Sequence, residues 1–180
     1  MPEATPSPPA PVPQAGEGRS APPAFESKIV TRGQLAAQVA RLERPIVLTN
    51  GVFDLLHRGH VTYLARARGL GASLVVAVNS DASVRLLGKG ADRPINPERD
   101  RAAVLASLES VTLVTIFDEP VPLPVLQIVR PEVYVKGGDY SIESTPEAQL
   151  ARAWNARVLA IPFEHDRSTT ALLERVRAAR

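Results

Sequence analysis

Short apolar runs, several of them rich in β-branched residues, alternate with helix-like stretches along most of this chain. The run SLVVAVN (73–79) is apolar almost throughout, which is typical of a strand buried on both faces of a parallel sheet. Four similar runs occur at 46–50, 111–117, 133–140 and 157–162. Helical patterns separate the five runs, as crossovers between parallel strands require. The alternation predicts an α/β fold, a five-stranded parallel sheet with helices on both faces.

The helical stretches are recognised by apolar residues at helical spacing and by capping residues at their starts. Thr31 precedes the first of them, Pro97 is placed in the first turn of another, and Gly69 ends a third. The helices are predicted at 31–43, 59–70, 81–87, 97–109, 124–129, 146–154 and 168–179.

Residues 1–24 differ in composition from the remainder of the chain. They are rich in Pro, Ala and Ser and contain neither the basic start nor the apolar stretch of a secretory signal. Such a segment buries too little apolar surface to offset its chain entropy, so a flexible tail is expected. A proline-rich ligand for a partner is the alternative. The folded domain is predicted to occupy 25–180.

Composition excludes several classes of site and partner. The chain has no cysteines, which excludes disulfides and thiolate-bound metals and makes a reducing cytoplasm the expected compartment. The net charge of +2 is too small to indicate nucleic acid or an acidic membrane as a partner. No apolar run approaches the roughly 20 residues that cross a bilayer.

Two of the three histidines lie in NGVFDLLHRGH (50–60), where a strand is followed by a helix. Parallel sheets bind their ligands beyond the carboxyl ends of the strands. Three more segments are expected at that edge: NSDAS (79–83), KGGDY (136–140) and FEHDRSTT (163–170). Their glycines, hydroxyls and helix starts bind anions well. We therefore expect a phosphate-rich ligand, bound without a P-loop or a dinucleotide fingerprint, since neither motif occurs.

His57 and His60 flank Gly59, where the absence of a side chain lets the backbone approach a phosphate closely. As imidazolium groups, the two histidines would stabilise charge that develops on phosphorus and on departing pyrophosphate. A helix-capping or core role is one alternative. A zinc site is another, and it would have only His165 as a further histidine ligand.

Five motifs in this chain occur in the same order in a known family. They resemble the HxGH nucleotidyltransferases of the cytidylyltransferase-like superfamily, and within it the D-glycero-β-D-manno-heptose 1-phosphate adenylyltransferases. The resemblance covers about residues 25–180 and implies a Rossmann-like sheet. Those enzymes occur as a domain of a bifunctional protein or as a separate protein, and this chain resembles the separate form. The motifs are TNGVFDLLHRGHVTYLARARGLG, LVVAVNSDASVRLL, DRPINP, VKGGDY and RSTTALLERV.

The resemblance implies transfer of the adenylyl group of ATP to a heptose 1-phosphate, with Mg²⁺ accompanying ATP. ADP-heptose for lipopolysaccharide core assembly and pyrophosphate would be the products. A sugar phosphate is already an anionic nucleophile, so positioning and charge stabilisation suffice and no general base is needed. A cytoplasmic enzyme that forms a homodimer or a higher homo-oligomer is expected.

The resemblance also implies roles at matched positions. His57, His60 and Lys89 would contact the triphosphate and act in catalysis. Asp54 would bind sugar hydroxyls or help to place the metal, and Arg93 would bind the sugar phosphate bidentately. The positions implied to bind the nucleotide are Thr49, Asn50, Gly51, Phe53, Gly59, Asn79, Arg101, Lys136, Gly137, Asp139, Ser168, Thr169 and Thr170.

Several positions leave alternatives open. Lys89 is one place from the usual spacing and could be a solvated loop lysine. Asp54 and Asp139 could stabilise turns, and Ser168 could be an ordinary helix cap. Cytidylyl relatives carry an arginine where Phe163 stands here, and the residues alone do not distinguish adenine from cytosine. The alternative functions are a cytidylyltransferase for a glycerol or alcohol phosphate and a non-catalytic nucleotide-binding module.

Overall fold

The computed structural model describes residues 21–88, 90, 92–138, 142–162, 164, 175–176 and 178–179. A short 3-10 helix, Ala24–Lys28, precedes the first strand, and a second one spans Ile142–Ser144. The strands are β1 (Ile29–Val30), β2 (Ile46–Gly51), β3 (Ser73–Asn79), β4 (Leu113–Phe117), β5 (Val133–Gly137) and β6 (Arg157–Ile161). The α-helices are α1 (Arg32–Val39), α2 (Arg58–Arg68), α3 (Asp81–Leu86), α4 (Glu98–Ala106), α5 (Leu123–Val129) and α6 (Pro146–Arg152).

The strands form one parallel sheet in the order β1-β4-β3-β2-β5-β6. The five predicted strands are confirmed, and the two-residue β1 is added at the edge, where Ile29 pairs with Val114. The chain runs outward through β2, β3 and β4 and then returns to place β5 on the other side of β2. The strand order therefore reverses beside β2, which is where open α/β sheets bind their ligands.

Each face of the sheet is covered by helices, as predicted. Successive side chains of β2 point to opposite faces, so Ile46 and Leu48 belong to one core cluster and Val47 to the other. Buried residues of α1, α5 and α6 complete the first cluster, and buried residues of α2 and α4 complete the second. Strand β3 is buried along its whole length, which confirms the interpretation of SLVVAVN.

The six described α-helices occur where they were predicted, and their first and last residues differ from the predictions by a few positions. Helix α1 begins after Thr31, as expected, and the Thr31 backbone N–H donates to the Gln34 side chain (3.0 Å). The helix ends at Val39, earlier than predicted. Pro97 is the N-cap of α4 and lies just outside the helix. Most of the helix predicted at 168–179 lies outside the described residues. None of the described helices is both long enough and apolar enough to cross a membrane.

Candidate active site at the carboxyl edge of the sheet

Two stacked histidines mark the start of α2 at the carboxyl edge of β2. His57 is the N-cap residue, with extended backbone, and His60 lies in the first turn. Their ring centroids are 3.9 Å apart and the ring planes differ by 23°. Gly59, between them, is buried. The backbone N–H groups at the start of α2 and the two imidazoles thus share one corner of the molecule, a suitable arrangement for an anion.

In the loop between β2 and α2, one residue has a backbone conformation that residues other than glycine rarely adopt. Phe53 has a φ of 49° and is only 7% exposed. Its ring packs edge-on against His60, with centroids 5.4 Å apart. A Cβ atom at Gly51 would lie 3.0 Å from the Phe53 ring. Strained residues that the surroundings hold in place are concentrated at functional sites, and here the strain places an aromatic ring beside a histidine.

Burial changes the expected charge of His60. Loss of solvent, with a smaller contribution from neighbouring His57, lowers the pKa of His60 from 6.5 to about 4. The ring is therefore neutral at pH 7, whereas an imidazolium is expected from the sequence. A neutral imidazole keeps one N–H donor, and a hydrogen bond with the Leu55 backbone partly opposes the lowering of the pKa. An anion bound beside it would raise its pKa again, because a negative charge favours the protonated form.

The structure brings together the two residues predicted to bind the sugar phosphate. Arg93 Nε lies 2.6 Å from Asp54 Oδ2, and the Asp54 side chain is only 1% exposed. The other oxygen of Asp54 accepts from the backbone N–H groups of Ile95 (2.8 Å) and Asn96 (3.0 Å). Asp54 thus holds the segment that carries Arg93 against the loop after β2.

Arg101 lies inside the protein. Its side chain is fully buried, and it donates to the Val52 carbonyl (2.6 Å), the Asn96 carbonyl (2.9 Å) and the Asp81 carboxylate (2.7 Å). The resemblance implies a nucleotide contact for Arg101. In the structure it joins the loop after β2, the segment before α4 and the start of α3, so the described contacts of its guanidinium are internal.

A polar network connects β2, β5 and α6 at the carboxyl edge. Asn50 Oδ1 accepts from the Tyr134 hydroxyl (2.7 Å) and from Lys136 Nζ (3.2 Å). Lys136 Nζ also lies 3.4 Å from Glu147 Oε1, and Glu147 is buried. Sequence reasoning missed Tyr134, which has the pattern of a core strand residue, and Glu147, which resembles the acidic residues common in any first helical turn.

Two further predicted residues have side chains bonded within the protein. Thr49 Oγ1 lies 2.6 Å from the Tyr63 hydroxyl, and Asn79 Nδ2 donates to Ser83 Oγ (2.9 Å). Both are buried. Gly137 ends β5. The remaining predicted positions lie outside the described residues: Lys89, Asp139, Ser168, Thr169 and Thr170.

Known proteins resemble this chain over nearly all of its described part. Residues 48–174 match the model of the cytidylyltransferase-like family. The D-beta-D-heptose 1-phosphate adenylyltransferase of Bordetella bronchiseptica is 58% identical over 155 residues, which are 85% of this chain and 96% of that protein. The bifunctional protein HldE of Koribacter versatilis is 48% identical over 156 residues, 85% of this chain but 32% of that protein.

Among solved structures, the lipopolysaccharide core biosynthesis protein from Thermoplasma volcanium superposes with a TM-score of 0.55 at 30% identity. The superposition covers 68% of this chain and 98% of that protein. The fold of this chain is therefore similar to that of a solved protein with related sequence.

Proposed function

Because the chain belongs to the cytidylyltransferase-like family, we propose that it is a nucleotidyltransferase that makes ADP-heptose from ATP and D-glycero-β-D-manno-heptose 1-phosphate. A phosphate oxygen of the sugar phosphate attacks the α-phosphorus of ATP. The bond from that phosphorus to the β-phosphate oxygen breaks, and pyrophosphate leaves. The observation that carries the proposal is the 58% identity to a heptose 1-phosphate adenylyltransferase over 96% of that protein's length.

The histidine pair supports this chemistry. Displacement at phosphorus develops charge on the oxygens of the reacting phosphate and on pyrophosphate, and preorganised donors stabilise that charge. The start of α2 offers backbone N–H groups, and the stacked rings of His57 and His60 lie beside them. We propose that His60 is neutral until the triphosphate arrives and that the bound anion then raises its pKa.

The Asp54–Arg93 pair supports a phosphorylated sugar as the second substrate. Arg93 is 12% exposed at its side chain, whereas Asp54 is enclosed. The guanidinium has further N–H groups beyond the one facing Asp54, and a phosphate accepts such donors in pairs. Arg93 can thus receive a phosphate while Asp54 continues to hold it.

The metal is proposed to enter with ATP. Mg²⁺ is commonly held by substrate phosphates and few protein carboxylates. No group of three or more His, Asp or Glu side chains in the described part of the chain could hold an ion. Bound Mg²⁺ would neutralise phosphate charge, and the side-chain contacts described above do not depend on it.

The cellular setting follows from the product. We propose that the enzyme works in the cytoplasm, where ATP is available, as a homodimer or higher homo-oligomer. ADP-heptose would supply assembly of the lipopolysaccharide core.

Release of pyrophosphate by the purified full chain with Mg²⁺ tests the proposal. ATP and CTP are each paired with the heptose 1-phosphate and with glycerol 3-phosphate. We expect release only from ATP with the heptose phosphate. Release from CTP with glycerol phosphate would overturn the proposal in favour of the sister activity, and binding of ATP without turnover in any pairing would indicate a sensor.

Two variants connect that activity to the site. His60→Ala should lower kcat about 10²- to 10³-fold, the usual loss when one preorganised donor is removed. Val61→Ala is the matched control, since Val61 follows His60 on α2 and is 43% exposed. The control should keep wild-type activity. Equal activity of His60→Ala and wild type would contradict the assigned role.

A further inference from the structure

The polar network beside β2 determines which way the Asn50 amide faces. An ammonium group donates hydrogen bonds and accepts none. Lys136 Nζ lies 3.2 Å from Asn50 Oδ1, so an amide turned by 180° would set its NH2 group against a cation. The carbonyl oxygen of Asn50 must therefore face Lys136, and its NH2 group must face away from the network.

Tyr134 reinforces this orientation. Its hydroxyl donates to the same Asn50 oxygen at 2.7 Å. Burial, with smaller contributions from the charges of Glu147 and Tyr63, raises the pKa of Tyr134 well above its usual value. The phenol thus stays protonated at physiological pH, and the oxygen of Asn50 has two donors aimed at it.

Glu147 supplies the countercharge that keeps the lysine in place. Its side chain is 5% exposed and lies 3.4 Å from Lys136 Nζ. A buried carboxylate requires a cationic or hydrogen-bonding partner, and Lys136 meets that need while remaining 28% exposed. The chain of contacts runs from Glu147 on α6, through Lys136 on β5, to Asn50 on β2.

The amide NH2 of Asn50 is left for a ligand. Within the part of the chain that the structure describes, it donates to no protein acceptor. Asn50 is partly exposed and is followed by the loop whose Phe53 ring packs on His60. This NH2 group therefore lies at the same edge of the sheet as the histidine pair.

We propose that Lys136 and Tyr134 are positioning residues, with Glu147 holding Lys136, and that together they lock Asn50 so that its NH2 group donates to an acceptor oxygen of the phosphorylated substrates. The inference rests on the proposed function and deepens it. It differs from the role implied by the family resemblance, in which Lys136 touches the nucleotide directly.

A double-mutant cycle separates the two roles. The proteins are wild type, Asn50→Ala, Lys136→Met and the double variant, and the quantity is kcat/KM for pyrophosphate release. Asn50→Ala should lower it about 10- to 100-fold, the range for a hydrogen bond to a charged group. If Lys136 acts through Asn50, the double variant should be within about twofold of Asn50→Ala, because coupled residues are not additive. If the fold loss of kcat/KM in the double variant equals the product of the losses in the two single variants, the proposal is overturned.

Asn50→Asp gives a readout that a purely structural role would not move. The carboxylate can still accept from Tyr134 and Lys136, so the melting temperature should stay at or above that of wild type. It offers no N–H donor and adds negative charge, so kcat/KM should fall at least as far as in Asn50→Ala. Wild-type kcat/KM in this variant would overturn the proposal.

Two further variants test whether a loss of kcat/KM in Lys136→Met is caused by misfolding. Lys136→Met combined with Glu147→Gln avoids a stranded buried carboxylate, and its kcat/KM should resemble that of Lys136→Met. Lys28→Met is the matched control, because Lys28 also donates from a part-buried position, to the carbonyls of Leu108 (3.3 Å) and Val111 (2.9 Å). Its kcat/KM should equal that of wild type.

Failure of the proposed function is distinguishable from failure of this inference. If wild type does not use heptose 1-phosphate, the proposed function fails, and the same cycle is measured as ATP dissociation constants. Non-additive weakening of ATP binding would then support the positioning roles. If the protein has no activity with heptose 1-phosphate and all variants bind ATP as wild type does, the positioning roles are overturned.

Discussion

The two edges of the sheet carry arginine–carboxylate pairs in opposite environments. At the carboxyl edge, Arg101 pairs with Asp81, and the arginine side chain has no exposed surface. At the amino edge, Arg44 pairs with Glu132, and their side chains are 48% and 42% exposed. Both pairs connect segments far apart in sequence, and they differ in their exposure to solvent.

This difference in solvent decides what each pair does. A buried guanidinium loses its hydration and must find protein acceptors, and Arg101 has three of them. It therefore fixes the positions of the segments that it joins. A solvated pair such as Arg44 and Glu132 is screened and stabilises little. Arg101 thus connects three segments at the edge that holds the candidate site, whereas the Arg44–Glu132 pair contributes little at the opposite edge.

Replacement of Arg101 should have the largest effect. Arg101→Met leaves the Asp81 carboxylate and two carbonyls without their donor, and the free energy of unfolding should fall by about 3–5 kcal/mol. Urea denaturation measures it. Arg99→Met is the matched control, two residues earlier on α4 and exposed, and should change stability by less than about 0.5 kcal/mol. Equal losses in both variants would remove the distinction between the edges.

Packing at the amino edge can be tested with a single methyl group. A Cβ atom at Gly71 would lie 2.4 Å from the Pro45 carbonyl oxygen and 2.8 Å from Val47 Cγ2. Gly71→Ala should therefore lower the free energy of unfolding by about 1–3 kcal/mol. In Gly33→Ala the new atom would meet only Thr31 Oγ1, at 4.0 Å, so thermal melting should show no loss. A fully stable Gly71→Ala protein would show that this edge is loosely packed.

The pH dependence of stability should report the buried histidine at the carboxyl edge. The pKa of His60 is about 4 in the folded protein and 6.5 when unfolded. Between these values the unfolded chain binds the extra proton, so stability falls as the pH drops from 6.5 to 4. After allowance for partial exposure, the loss is on the order of 1–2 kcal/mol. When urea denaturation is repeated across this range, the free energy of unfolding of wild type should fall more steeply between pH 6.5 and pH 4 than that of His60→Gln, and the two curves should run parallel outside that range. Curves that stay parallel throughout would contradict the assignment.

The solvated pair should give the smallest effect. Arg44→Met should lower the free energy of unfolding by about 0.2–1 kcal/mol, and less in high salt. Urea denaturation at two salt concentrations measures both statements. A loss comparable with that of Arg101→Met would mean that solvent exposure does not determine how much an arginine–carboxylate pair contributes to stability.

Several features of the fold and site could be predicted from sequence because they depend on local patterns. The uninterrupted apolar run of β3 reflects burial on both faces, and the helical periodicities place the crossovers. The parallel sheet then brings Asn50, His57 and the start of α3 to one edge. Strand β1 was missed, since two residues carry no periodicity and Ile29 is held by its partner Val114.

The internal contacts of the site depend on residues that are distant in sequence. The resemblance placed Arg101 at the nucleotide, but its burial is decided by acceptors from other segments, the carbonyls of Val52 and Asn96. The importance of Glu147 is likewise visible only when α6 brings it beside Lys136.

The sequence by itself determined the class of fold, the edge at which the site lies and the family resemblance, because periodicity and motifs are local properties of the chain. Tertiary structure decided the neutral charge of His60, the internal place of Arg101 and the orientation of the Asn50 amide. Each of these depends on loss of water and on a donor or acceptor from another element, and both arise only when the sheet and its helices have packed.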